Sequence, residues 1–171
     1  LDFCCVWKMF EALAPASWSL HFISLEKYPL SREDMSRALA PIGPIRDHSQ
    51  ALFAAYPSDP DPRFDQVFSS GRVRVTVLFE DVLDALDRIK AEGLAPQGAD
   101  AWSLDGFAPS KNPGMWSEEV LDRVAALSRP GTTLSTFSVT GRLRRGLEAR
   151  GFRMEKAPGY GRKRQILTGV F

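Results

Sequence analysis

Short apolar runs alternate with amphipathic helical stretches along nearly all of this 171-residue chain. No other feature limits the fold so strongly. Strands separated by helices pair mostly in parallel, through right-handed crossovers that lay the helices over the sheet. "LDFCCVWKMFEALA" reads as a largely buried helix ending near Pro15, and "SLHFISL" as a buried strand. Ser31 caps the next helix, with Asp34 at the capping-box position, and a further helix spans Arg46 to Ala55. "FDQVFSSGRVRVTVLF" has the alternation of a hairpin, turned at Ser69-Ser70-Gly71. "DVLDALDRIKAEG" is an amphipathic helix closed by Gly93. A strand ending near Leu104, a helix from Ser117 to Ser128, a turn and strand in "RPGTTLSTFSV" and a helix ending at Gly151 follow. "FRMEKAP" and "RQILTGVF" close the chain as antiparallel neighbours. The expected fold is α/β, one domain over residues 1–171, with a mostly parallel sheet and an antiparallel edge.

Composition narrows the function classes. The chain is 44% apolar and 25% charged, as soluble globular proteins are. No apolar run is long enough to cross a membrane, so no membrane partner is expected. Cys4 and Cys5 are adjacent, which disfavours a bond between them and fits a reducing cytoplasm. His21 and His48 lie far apart and neither cysteine has a ligand spacing, so no metal site is expected. Charge is uneven. Residues 140–164 hold nine basic side chains and two acids, net +7, which leaves −6 to residues 1–139 of a chain whose total is +1. A basic C-terminal segment on an acidic body suits a polyanion docking on one side, or a solvated basic face.

Ligands of parallel sheets sit beyond the carboxyl ends of the strands. Glu26, Asp81 and Asp105 occupy three such ends. Glu26 is placed to accept hydrogen bonds from ribose hydroxyls, and Asp81 from an adenine amine. Asp105 then faces the reacting end of the ligand. Singly, each acid is equally a helix cap, Asp81 above all for the helix through Leu86. Three in successive units point to a nucleotide-like ligand.

"DAWSLDGFAPSKNPGMW" closely resembles the signature of the methyltransferase domain of bifunctional tRNA 5-methylaminomethyl-2-thiouridine biosynthesis proteins. "LHFISLEKYPL", "RPGTTLSTFSVTGRLRRGLEARGF" and "GYGRKRQILTGVF" resemble further parts of that domain, and the likeness is weakest from Ala38 to Gln66. The resemblance implies a class I, Rossmann-like methyltransferase using S-adenosylmethionine. Its implied reaction converts the aminomethyl group on the wobble uridine of tRNA to methylaminomethyl. Glu26, Lys27, Asp81, Val82 and Asp105 form the implied cofactor-binding set. Asp105, Gly106 and Phe107 form the implied catalytic turn, stiffened by Pro109. Asp105 positions the amine rather than acting as a strong base, because a carboxylate also raises an amine's pKa. Phe107, Trp116 and Tyr160 are stacking candidates, with Trp116 equally a core residue. Lys111, Arg142, Arg144, Arg145, Arg162, Lys163 and Arg164 are the expected contacts to the anticodon region. FAD belongs only to a fused or separate flavin-dependent domain, not to these residues.

The family's first strand and glycine-rich loop precede a segment like "LDFCCVW", with which this chain begins. The domain is therefore expected to be incomplete at its N-terminus. The competing reading is a non-catalytic RNA-binding fragment with an acidic body and a basic face. A dinucleotide oxidoreductase would need a G-x-G-x-x-G loop, which is not visible.

Overall fold

The computed structural model describes residues 1–39, 43–59, 62–106, 111–159, 161 and 164–171. They gather into two compact units, Leu1–Asp81 and Val82–Phe171.

The first unit holds α1 (Asp2–Leu13), β1 (Leu20–Leu25), α2 (Arg32–Leu39), α3 (Arg46–Ala55), β2 (Arg63–Phe68) and β3 (Val73–Leu78). Its three strands lie in the order β1-β3-β2. β1 runs parallel to β3, and β2 antiparallel, as the hairpin pattern requires. Phe3 and Trp7 of α1, one turn apart, stack at 5.5 Å. They join Leu52, Tyr56, Phe64, Val73 and Val75 in one core. Cys4 is buried and Cys5 exposed, on different sides of α1. Ser31 caps α2, its Oγ accepting from Asp34 N at 3.1 Å. The tight turn at Ser69, Ser70 and Gly71 has φ of 51°, 53° and 95°. Trp7 Nε1 donates to Ser69 Oγ at 2.9 Å and so pins that turn to α1.

A polar chain crosses this sheet. Thr76 Oγ1 donates to Asp65 Oδ1 at 2.6 Å, and His21 Nε2 lies 2.8 Å from the same hydroxyl. Arg74 Nη2 donates to Asp65 at 3.0 Å, and Arg63 Nε also donates to it. Burial alone would raise the Asp65 pKa, but the hydrogen bonds from Arg63, Thr76 and Arg74 outweigh it and hold it at about 2. Its unfolded value is near 3.8. The stabilisation is complete above that value and is lost as pH falls through about 2. The side chain is 32% exposed, so solvent screening reduces the contribution to about 1 kcal/mol. Asp65→Asn should lower stability by about that amount at pH 7, with the gap closing toward pH 2. Urea unfolding at both pH values checks this. A gap that does not change with pH would refute the assignment.

The second unit holds α4 (Val82–Ala91), β4 (Ala99–Ser103), α5 (Glu118–Ala126), β5 (Ser128–Thr136), α6 (Gly141–Glu148), β6 (Arg153–Pro158) and β7 (Gln165–Val170). The strand order is β4-β5-β7-β6. β4 and β5 are parallel, whereas β7 is antiparallel to both β5 and β6. Parallel pairing thus occurs in each unit, and antiparallel pairing extends beyond the closing edge to β2. The expected Arg129-Pro130-Gly131 turn lies inside the span of β5 as an irregularity. Ala99 faces Ser128 while Ala101 faces Thr133, so the intervening residues loop out. Pro130 has no N–H to give the ladder, and Gly131 takes φ 89°. Ser117 caps α5 by accepting from Val120 N.

Candidate functional site

β1 and β3 are parallel and in register to their last pair, Leu25 and Leu78. The residues that follow therefore leave the sheet at the same end. Glu26 N donates to Leu78 O at 3.0 Å and extends the pairing by one residue. The Glu26 carboxylate is exposed and accepts from Tyr28 N at 3.0 Å, which closes its own turn. One oxygen is thus engaged in fixing the side chain. Lys27 Nζ lies 3.0 Å from Asp81 Oδ2, with both side chains about half exposed. Separate ligands in the sequence reading, Lys27 and Asp81 are an ion pair in the structure. Val82 follows as the first residue of α4.

Tyr28 was not among the expected contacts. The residue is 73% exposed, and Lys27 Nζ sits 5.9 Å from the centre of its ring. An aromatic face held beside two strand-end acids can pack against a planar ring. The signal was present in the sequence as an aromatic two residues after the strand-end acid.

The carboxyl end of β4 carries Asp105 and Gly106. Leu104 N still pairs, donating to Ser135 O at 2.9 Å, and the chain then departs with Asp105 exposed. Gly106 lies against the turn Pro113–Trp116. A Cβ there would fall 2.8 Å from Met115 Cε and 3.4 Å from Trp116 Cζ2. A glycine at 106 thus allows the acid-bearing turn to sit close on Trp116. Trp116 itself is 8% exposed, which makes it floor rather than rim. Phe107 and Pro109 lie outside the described residues, as do Tyr160, Arg162 and Lys163.

α6 presents Arg142, Arg144 and Arg145 to solvent, with Leu143 and Leu147 buried beneath. Arg144 Nε pairs with Glu148 at 2.8 Å, one turn on. Lys111 and Arg164 are exposed. Next to α6 is a groove of about 280 Å³, lined among the described residues by Pro113, Trp116, Glu118, Leu121, Thr140, Arg142 and Leu143. Among the described residues no three His, Cys, Asp or Glu side chains are placed to hold a metal ion. No described helix is long and apolar enough to cross a membrane.

Helices and parallel strands in each unit make this an α/β protein, and the chain belongs to the S-adenosyl-L-methionine-dependent methyltransferase family, which it matches over residues 44–171. It is 46% identical over all its residues to the tRNA 5-methylaminomethyl-2-thiouridine biosynthesis bifunctional protein MnmC of Methylobacillus flagellatus, and covers 26% of that protein. It is 44% identical to the protein of the same name from Pseudomonas aeruginosa PAO1, and covers 25% of it. The chain thus spans about a quarter of the length of these relatives. In fold it is similar to MNMC2 from Aquifex aeolicus, with TM-score 0.71 at 19% identity, over 96% of this chain and 47% of that one. The family disfavours the non-catalytic RNA-binding reading.

Proposed function

We propose that this chain transfers a methyl group from S-adenosylmethionine to the aminomethyl nitrogen on the wobble uridine of tRNA. The observation that carries the reading is identity along every part of the chain to proteins named for that tRNA modification. The cytoplasm, where tRNA is modified, is the fitting location. A flavin-dependent step belongs to a fused or separate polypeptide segment.

The residues present fit the cofactor. The second oxygen of Glu26 can accept from ribose hydroxyls while the first stays on Tyr28 N. Asp81, held by Lys27, can accept from the adenine amine. The Tyr28 ring can cover the base. S-adenosylmethionine supplies the methyl group, on a positively charged sulfur. Asp105 accepts an N–H of the substrate amine and directs the nitrogen lone pair. The same carboxylate favours the protonated amine, so its contribution is orientation. The exposed arginines of α6 contact phosphates of the anticodon region, with affinity that falls as salt rises.

Labelled methyl transfer to two anticodon stem-loops tests the reading. A loop carrying 5-aminomethyl-2-thiouridine should take up label, and one carrying plain 2-thiouridine should not. Label in both, or in neither, would refute it. Asp81→Ala should weaken S-adenosylhomocysteine binding by about tenfold or more in calorimetric titration, the usual loss for a hydrogen bond to a charged group. Unchanged affinity would remove Asp81 from the adenine site.

A further inference from the structure

The groove beside α6 has an apolar floor of Trp116, Leu121 and Leu143 and a polar mouth of Thr140 and Arg142. Its volume of about 280 Å³ lies just under the roughly 300 Å³ at which small-molecule pockets begin, enough for one base and its sugar. Its charge is also selective. Glu118 at the rim is neutralised by Arg150 at 2.9 Å, whereas Arg142 has no ion-pair partner among the described residues. Arg145 folds back along α6, so that its Nη1 lies 3.0 Å from a Cβ built on Gly141. The Arg145 guanidinium thus lies at the first turn of α6, the turn that also carries Arg142, where the helix dipole disfavours cations. α5 shows the usual arrangement, a serine cap followed by Glu118 and Glu119. At α6 the N-cap Thr140 makes no side-chain cap bond. An anion at the mouth would relieve this repulsion. The floor residue Trp116 is also the one that Gly106 packs against, so the groove adjoins the turn that bears Asp105.

We propose that this groove seats the target nucleotide of the RNA, its base on Trp116, Leu121 and Leu143 and its phosphate on Arg142 and Arg145. The proposal rests on the RNA-methylating reading above and names where that substrate sits. Thr140→Phe fills the mouth without removing a cap bond. Binding of the intact chain is measured by fluorescence anisotropy on an anticodon stem-loop with its wobble base and on the same loop made abasic there. Thr140→Phe should weaken binding of the intact loop by about tenfold or more and change the abasic loop by less than about twofold. Arg142→Ala, which is independent of how Thr140→Phe folds, should weaken both loops by about threefold to tenfold and flatten the salt dependence. Equal effects of Thr140→Phe on both loops, or none on either, would overturn the proposal. So would an Arg142→Ala salt slope equal to that of the unsubstituted chain. Uridine 5′-monophosphate binding as tightly as the loop would assign the groove to free nucleotides and overturn it too. Methyl transfer by the unsubstituted chain, read in parallel, separates the two failures. Transfer that persists leaves the function standing without this groove, and transfer that is absent removes both.

Discussion

Asp105→Ala should lower the turnover number for methyl transfer about a hundredfold, with KM for the tRNA stem-loop nearly unchanged. The magnitude is that of losing about an ångström of alignment between reacting atoms. The carboxylate is exposed at the end of β4, in a turn held close to Met115 and Trp116 through Gly106. It therefore presents an acceptor at a fixed place. If it orients the amine, the loss falls on turnover rather than on binding. The pH profile gives a second, independent readout. A negative charge beside the amine raises the amine's pKa, so removing it should shift the limb for amine deprotonation to lower pH. Asp105→Asn keeps an acceptor oxygen and removes the charge. It should retain most of the turnover while sharing the pH shift. An Asn variant as slow as the Ala variant would show that the charge, not the acceptor, matters, and the positioning role would fail.

Much of the fold was legible because its signals are local. Ser31 and Ser117 mark where α2 and α5 begin, whereas α1 is less buried than its apolar run implies, with Phe3, Cys4 and Trp7 buried but Leu1, Val6 and Leu13 exposed. The Ser69–Gly71 turn joins two alternating runs, which identifies the β2–β3 pair. What escaped were features that depend on residues far apart. The insertion of β7 between β5 and β6 is a choice of long-range partner that no local pattern encodes. The Lys27–Asp81 pair joins residues 54 positions apart. Glu26 and Asp81 were placed correctly at strand ends because strand ends are local, but their partners were not. Gly146 shows the same limit. Inside α6 it reads as a weak helix residue, yet a Cβ there would fall 2.7 Å from Leu121 Cδ1. It is what lets α5 and α6 approach.

Gly169→Val should destabilise the chain by about 3 kcal/mol, the upper end of the range for overpacking a well-packed core. Gly169 lies on β7 directly opposite Met154 of β6. Met154 is 5% exposed, and its side chain folds across the glycine. A Cβ at 169 would sit 2.3 Å from Met154 Sδ and 3.2 Å from Arg153 O. The sulfur ends a flexible side chain but is buried, so moving it disturbs the core, whereas the Arg153 oxygen is backbone. Gly169 does not have a positive φ, so the substitution brings no backbone strain and tests sterics alone. A loss of this size should lower the melting temperature by about 6–12 °C for a chain of this length. The double variant Gly169→Val with Met154→Ala vacates the colliding side chain. If the collision is the cause, the loss in the double variant should fall short of the sum of the two single losses by about 1 kcal/mol or more. Strict additivity in urea unfolding would place the cost elsewhere, in the ladder itself rather than in the packing of Met154 over the glycine.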